Sequence, residues 1–594
     1  MKIYQYIILF CLSSFMLFSC EELELGDEAL ENPPTLSVNR DTIFSRLEYA
    51  EDYLWEGYST LPYGLNVNWD KKSNKLGMDV LESLTDLNHS YLSWAGANEL
   101  YYNGQYTAGF ENYDSDNYIT TKTKFHYTIE ETWEGIRIGW NFIENADQIP
   151  DGEPEYIDQL KAEARMIIAL HYSDMYRHYG GLPWVNHVYA ADEDTYLPRS
   201  TARATLDSIV SVIDKAIPDL PWTIEDGSNW DGRFTKAAAM GLKARMLLFG
   251  ASPLFNDDVP YLDGEAAQQK MVWFGSKDES LWNDAAEAAE DLIREAEGHG
   301  YGLVNTGKYR QDFQDAYYDR GNGEVLISTR YSYTSYSYWS QYYYFYQSAG
   351  SYGAGCPTQE YIDMFGMSNG LPITNPSSGY DANNPFVDRD PRLYETVLVD
   401  GDSYKGRTAE LWIGGRERKT TNSAGVKSGY GLRKFLLERN YSTSLYSVVH
   451  WPYLRLAEIY LSAAEALNEV NGGPTAKAYE YVDKVRARVG LAGLPSGLSQ
   501  TEFREAVLEE RAKEFGFEEV RWFDLIRWKR EGDFTKNLHG TNIYKESDGV
   551  YTRELFDCPS RHWQQFWSPK WYLSAFPSDE VNKEYGLVQN PGWE

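Results

Sequence analysis

From Leu456 to Val489 the apolar residues repeat with the period of a helix, and that repeat constrains the fold more than any other feature of the chain. Leu456, Ile459, Tyr460, Ala463, Ala464 and Leu467 fall three and four positions apart, so they share one helical face. Asn471-Gly472-Gly473-Pro474 ends the run, and Ala478, Val482, Val485 and Val489 form a second. The two read as a helical hairpin of tetratricopeptide type, whose apolar surface stays bare unless another hairpin covers it. Amphipathic stretches near 130–149, 155–179, 202–217, 235–251, 281–297 and 501–529 can supply that cover, without a strict repeat length. The expected fold is mainly α: tetratricopeptide-like helical hairpins packed against a loop-rich, irregular half with a few short strands. The irregular part is expected at about 300–450, where Gly, Ser, Thr, Asn and Tyr replace the helical pattern and Glu324-Val325-Leu326-Ile327-Ser328-Thr329 is strand-like. Long irregular segments displayed on a rigid scaffold are more often functional than accidental.

The 594 residues carry 55 Lys and Arg against 89 Asp and Glu, a formal charge of −34 that argues against DNA, RNA and anionic lipid headgroups as partners. At the N-terminus, Lys2 precedes an apolar run from Ile7 to Phe18 that is too short to span a bilayer and reads as a signal peptide over residues 1–19. Leu17-Phe18-Ser19-Cys20 resembles a lipobox, which makes Cys20 the expected lipidation site and membrane anchor. Residues 20–40, acidic at Glu21, Glu22, Glu24, Asp27 and Glu28 and stiffened by Pro33-Pro34, read as a tether. Residues 41–594 then form a single domain. Of the four cysteines, Cys11 and Cys20 belong to the leader, and the sequence leaves open whether Cys356 and Cys558 pair.

Catalytic and cofactor signals are weak throughout. Glu510, Glu514, Glu518, Arg521, Asp524 and Arg527 recur at three- and four-residue spacing, and read as ion pairs along one helix face rather than as paired catalytic carboxylates. Gly302–Lys308 has P-loop spacing, but Tyr309 stands where Ser or Thr would hold magnesium. The nine histidines are scattered, with no HExxH. A non-catalytic protein without metal or cofactor is expected. The unusual quantity is aromatic: 48 Tyr, 19 Trp and 24 Phe, with ten rings among the sixteen residues from Tyr331 to Tyr346. Two readings compete for this cluster: Tyr331, Tyr333, Tyr336 and Tyr338 as a strand and its turn packing on the core, or rings with a polar handle, interleaved with Ser, Thr and Gln, as a wet, ring-stacking surface.

Several stretches together resemble the SusD/RagB family of outer-membrane nutrient-binding lipoproteins. They include Tyr176-Arg177-His178-Tyr179-Gly180-Gly181-Leu182-Pro183, Gly232-Arg233-Phe234-Thr235-Lys236-Ala237, Arg389-Asp390-Pro391-Arg392, Arg455-Leu456-Ala457-Glu458, Arg521-Trp522-Phe523-Asp524-Leu525 and the closing Gln589-Asn590-Pro591-Gly592-Trp593. The resemblance implies a SusD-like fold and a cell-surface lipoprotein that captures a glycan and delivers it to a SusC-like TonB-dependent transporter in the outer membrane. A RagB-like peptide binder is the alternative. It also implies where ligand contacts lie. One group precedes Pro357–Phe365, here Tyr336, Tyr338, Trp339 and Tyr342. Another lies in the loop from Asp79 to Asn98, with Trp94 as a stacking ring and Asn98 and Asp79 as polar partners. Trp273 is a further candidate.

Overall fold

A computed structural model describes residues 40–594 except 66–74, 78, 113–121, 129, 191, 194–195, 331–352, 354, 419–425, 436–449 and 548. Cys20, Tyr336, Tyr338, Trp339 and Tyr342 lie outside the described residues. From residue 130 to 296, and again from 456, the long helices fall where the apolar periodicity puts them, and one more long helix precedes those stretches. They are α1 (Leu47–Ser59), α2 (Glu130–Asn145), α3 (Pro154–Tyr179), α4 (Ala202–Ala216), α5 (Lys236–Ala251) and α6 (Ser280–Ala296), each packed on the next. Three short helices follow, α7 (Tyr309–Tyr318), α8 (Gln359–Met364) and α9 (Pro391–Thr396). The ladder resumes with α10 (Leu456–Val470), which docks on α6 and carries α11 (Ala476–Arg488) and α12 (Gln500–Phe515).

Local chemistry sets the helix starts. Thr201, Thr235 and Thr475 each accept a backbone N–H in the first turn of the helix they precede, at 3.1, 3.2 and 3.1 Å. Ser499 and Glu502 form a reciprocal capping box at the start of α12. From Met166 to Tyr179 every residue of α3 is buried, so this half of the helix runs through the core instead of lying on it. Its close approach to α2 depends on small residues. A Cβ added at Gly139 would lie 2.6 Å from Ile168, and one at Gly135 would lie 2.3 Å from both His171 Nε2 and Thr60 Oγ1.

Strands among the described residues are short and pair in twos, all antiparallel. β1 (Asn88–Ser90) pairs with β3 (Gly355–Pro357), β2 (Val325–Thr329) with β8 (Trp451–Arg455), β4 (Val397–Val399) with β7 (Tyr430–Leu432), β5 (Ser403–Tyr404) with β6 (Arg407–Thr408), and β9 (His539–Ser547) with β10 (Val550–Asp557). The β2–β8 pair joins Val325 to Arg455 and Thr329 to Trp451, so the segment between them leaves and re-enters the helical body at one place.

Two features differ from the sequence reading. The stretch 501–529 is not one helix: α12 stops at Phe515 and α13 (Arg521–Arg527) starts after a break in which Phe517 and Glu519 take φ of 65° and 57°. Such left-handed backbone costs a side-chain-bearing residue roughly 1–2 kcal/mol. Lys434 Nζ, donating to the Gly516 carbonyl at 2.9 Å, and Glu82, accepting the Glu519 N–H at 2.7 Å, hold the break in place. Second, the charges around it do not chiefly pair along their own helix. Glu510 meets Arg392 (2.7 Å) and Arg486 (2.9 Å), Glu514 meets Arg392 and Arg455 (3.1 Å each) and Arg488, Glu518 meets Lys434 (2.6 Å) and Arg455 (2.8 Å), and Arg521 meets Asp86 (2.8 Å). All lie in the interior. Burial pushes Glu514 up, but Arg488, Arg455 and Arg392 overcome it and hold the carboxyl well below the usual range. The network bolts the helical ladder to the irregular half.

Candidate functional site

The loop from Asp79 to Tyr102 is built around β1. Asp79 is wholly buried. Its carboxylate accepts the Ser90 hydroxyl and, at 3.2 Å, the Ala97 N–H, so it ties the two ends of the loop together. Burial pushes the Asp79 pKa up to about 8, against the pull of those two donors. Asn98 Nδ2 donates to the Ser90 carbonyl at 2.6 Å. Tyr102 donates its hydroxyl to the Ser83 carbonyl at 2.6 Å and lies parallel to His89, ring centroids 5.1 Å apart. Arg561 clamps the whole from outside the loop, donating to the carbonyls of Ser83, Asn88 and Thr85 at 2.9, 3.2 and 2.8 Å.

On this fixed loop Trp94 is 36% exposed, while Ala95, Gly96 and Ala97 beside it are buried. The structure thus brings together Asp79, Trp94 and Asn98 but gives them different parts. Trp94 faces solvent, Asn98 is half-buried with its amide engaged, and Asp79, expected as a ligand contact, has no exposed surface and acts as an internal post. Trp273 belongs elsewhere. It lies half-buried between α5 and α6, with its indole N–H donated to the Ala267 carbonyl at 2.7 Å. The chain on either side bonds to Gly181, Ala202 and Phe255, none of them in the Asp79–Tyr102 loop. Sequence reasoning missed Ser90 and Arg561, which fix the loop. Nothing in the spacing of residues so far apart announces that they meet.

The β1–β3 pairing joins this loop to the strand that follows the ring-rich segment in sequence. Ser90 pairs with Gly355 and His89 with Cys356, so β3, which begins nine residues after Tyr346 in sequence, meets the loop four residues before Trp94. Cys356 and Cys558 are both buried free thiols. Among the described residues no three His, Cys, Asp or Glu side chains converge as metal ligands, and no helix is long and apolar enough to cross a membrane.

Comparison with known proteins agrees with this architecture along the chain. The family described as the SusD family matches residues 319–593, and the one described as "Starch-binding associating with outer membrane" matches residues 70–248. A SusD-like protein of Formosa agariphila is 41% identical over 148 residues, 24% of this chain, and the chain spans about a quarter (25%) of that curated relative's length. Among solved structures, a SusD-like protein from Bacteroides fragilis superposes with a TM-score of 0.71 at 23% identity, covering 93% of this chain and 98% of that one. A SusD-like carbohydrate-binding protein from the same species gives 0.68 at 21% identity, covering 91% and 99%. With the helical ladder, the irregular half and these matches in agreement, the chain belongs to the SusD/RagB family.

Proposed function

We propose that the protein is a non-catalytic, glycan-binding lipoprotein of the outer membrane, held at the cell surface by a lipid on Cys20, that captures oligo- or polysaccharide and delivers it to a SusC-like TonB-dependent transporter. The observation that supports the reading is the β1–β3 pair, which joins the loop bearing an exposed tryptophan to the strand that follows, nine residues on in sequence, a segment with ten aromatic residues in sixteen. Rigidity matters because a ring that is already ordered loses little entropy when a sugar stacks on it. Trp94 is the described ring of this site, with Asn98 beside it; Tyr336, Tyr338, Trp339 and Tyr342 complete it. Asp79 contributes by positioning. The printed description of one matching family associates it with the outer membrane, and one solved neighbour is named as carbohydrate-binding, which supports the same reading.

The test is a binding panel of plant, microbial and host polysaccharides, with a peptide library alongside, on the full-length protein in mild detergent. Selective binding of a polysaccharide that strengthens with chain length is the expected result. Binding of peptides and of no glycan would replace the reading with a peptide-import role. Co-purification from the native outer membrane should bring a TonB-dependent barrel with the protein.

A further inference from the structure

A separate cleft of about 290 Å³ opens between three turns: residues 223–235 leading into α5, residues 299–301 after α6, and residues 321–328, which run into β2. No residue of the Asp79–Tyr102 loop lines it. The charges in its walls are already matched. Asp231 accepts from Arg320, at 2.6 and 3.1 Å, and from Arg330, while Arg233 donates to both oxygens of Glu163 at 2.6 and 3.0 Å. A charged ligand entering here would have to break one of these pairs to gain a counter-ion, which disfavours it.

What the walls leave open is neutral and polar. Thr223, Ser328 and His299 line the cleft, and neither the two hydroxyls nor the ring nitrogens have a hydrogen-bond partner among the described residues. His299 lies flat on Trp222, with centroids 4.1 Å apart and the rings 6° from parallel, so a planar aromatic stack stands beside the hydroxyls. At Gly227, Gly300 and Gly321 a Cβ would meet no atom within 4 Å, so no side chain crowds that side. A flat apolar face next to unengaged hydrogen-bonding groups matches the two sides of a pyranose, whose C–H bonds lie on one face and whose hydroxyls ring the edge. The volume lies at the lower end of small-molecule sites, enough for a short saccharide and too small for a long one.

We infer that this cleft is a second carbohydrate site, distinct from the Trp94 loop and specific for one or two neutral pyranose units. For its ligand class the inference rests on the glycan-binding reading above; the location and the preference for neutral sugars come from the cleft itself. The experiment is saturation-transfer NMR on the full-length protein in mild detergent, with cellobiose, laminaribiose and maltose as neutral probes and digalacturonate as the charged one. At least one neutral disaccharide should receive saturation and digalacturonate none. Thr223→Trp, which fills the mouth from an exposed position, and His299→Ala, which removes half of the stack, should each weaken that signal at least tenfold with circular dichroism unchanged. Trp94→Ala should leave it intact. The inference is overturned if no neutral disaccharide binds the parent, if binding survives Thr223→Trp, or if Trp94→Ala alone abolishes it. Failure here is distinct from failure of the first reading, because polysaccharide binding that is lost in Trp94→Ala and kept in Thr223→Trp leaves the loop site standing alone.

Discussion

Trp94 and Asp79 sit fifteen positions apart on one loop and respond to opposite forces. The indole is held out of the core by a backbone whose neighbouring residues are packed, so its exposed face is a fixed feature of the surface. Removing it should weaken binding of a confirmed polysaccharide about tenfold, since a ring contact of this type contributes on the order of 0.5–1.5 kcal/mol and about 1.4 kcal/mol is one decade. Isothermal calorimetry on Trp94→Ala measures this, and unchanged affinity in a folded variant would move the site off this loop. Asp79 predicts a pH effect. Its folded pKa is raised to about 8, above an unfolded value near 4, so its contribution to stability is full below that lower value and is lost as pH rises through 8. Glu82 and Glu111, also pushed up to about 8 by burial, act in the same direction, whereas Glu510 and Glu514 are depressed and protect the fold only while pH stays above their folded values. Asp79→Asn should therefore lose less Tm between pH 5 and pH 8 than the parent. Equal losses in thermal melts would show that Asp79 does not titrate in that window.

Among the elements, the α2–α3 crossing shows packing prevailing over propensity. Alanine is favoured over glycine inside a helix by about 1 kcal/mol, which taken alone makes Gly135→Ala stabilising. The new Cβ would instead press on His171 and Thr60, whose side chains hydrogen-bond at 2.8 Å in the core. Overpacking costs about 1–3 kcal/mol, and disturbing a buried hydrogen bond adds about 1 kcal/mol or more. Gly135→Ala should be destabilised by about 1–3 kcal/mol net in urea denaturation; a midpoint at or above the parent's would refute the packing argument. The same contrast explains what the sequence made legible. Helices such as α10 and α11 advertise themselves because apolar residues, Leu456, Ile459 and Ala463 in one and Val482 and Val485 in the other, recur three and four positions apart in the sequence, and all are buried. The break at Gly516–Val520 does not, because it is imposed by Lys434 and Glu82, hundreds of residues earlier in one case, and no local pattern encodes a distant bond. The family resemblance points to Trp94 and Asn98, which the structure sets on the same loop; that Asp79 faces inward is not legible, since a carboxylate accepting Ser90 and Ala97 looks in sequence like one waiting for a ligand.

For the molecule as a whole, both ends of the described chain are fixed to the body. The C-terminus is fastened down: Arg199 donates to the Val588 carbonyl at 2.6 Å and to Asn590 at 3.0 Å, and Asn590 Nδ2 reaches the Ser574 carbonyl at 2.8 Å. The N-terminal side is held by α1, whose Tyr58 hydroxyl donates to Glu163 at 2.7 Å and whose Leu47 N–H donates to Asp151 at 2.7 Å; in the proposed arrangement the lipid on Cys20 supplies the membrane attachment. Cys20→Ala should shift the protein from the membrane to the soluble fraction. Persistence in washed membranes would require a different anchor.

The β2–β8 pair carries a kinetic consequence. Because α6 ends at Ala296 and its neighbour α10 begins at Leu456, that contact in the ladder can form only by closing a loop of about 160 residues, whereas α2 to α6 dock in turn across connections of 8 to 28 residues. Closing it costs about 2 kcal/mol more chain entropy than closing a connection of about twenty residues. Non-local contacts of this kind slow folding. Refolding followed by stopped-flow fluorescence should therefore show the helices up to Ala296 assembling first and the α6–α10 junction closing in a later phase, which leaves the apolar flank of α6 uncovered and in need of protection from self-association until the second half of the chain arrives.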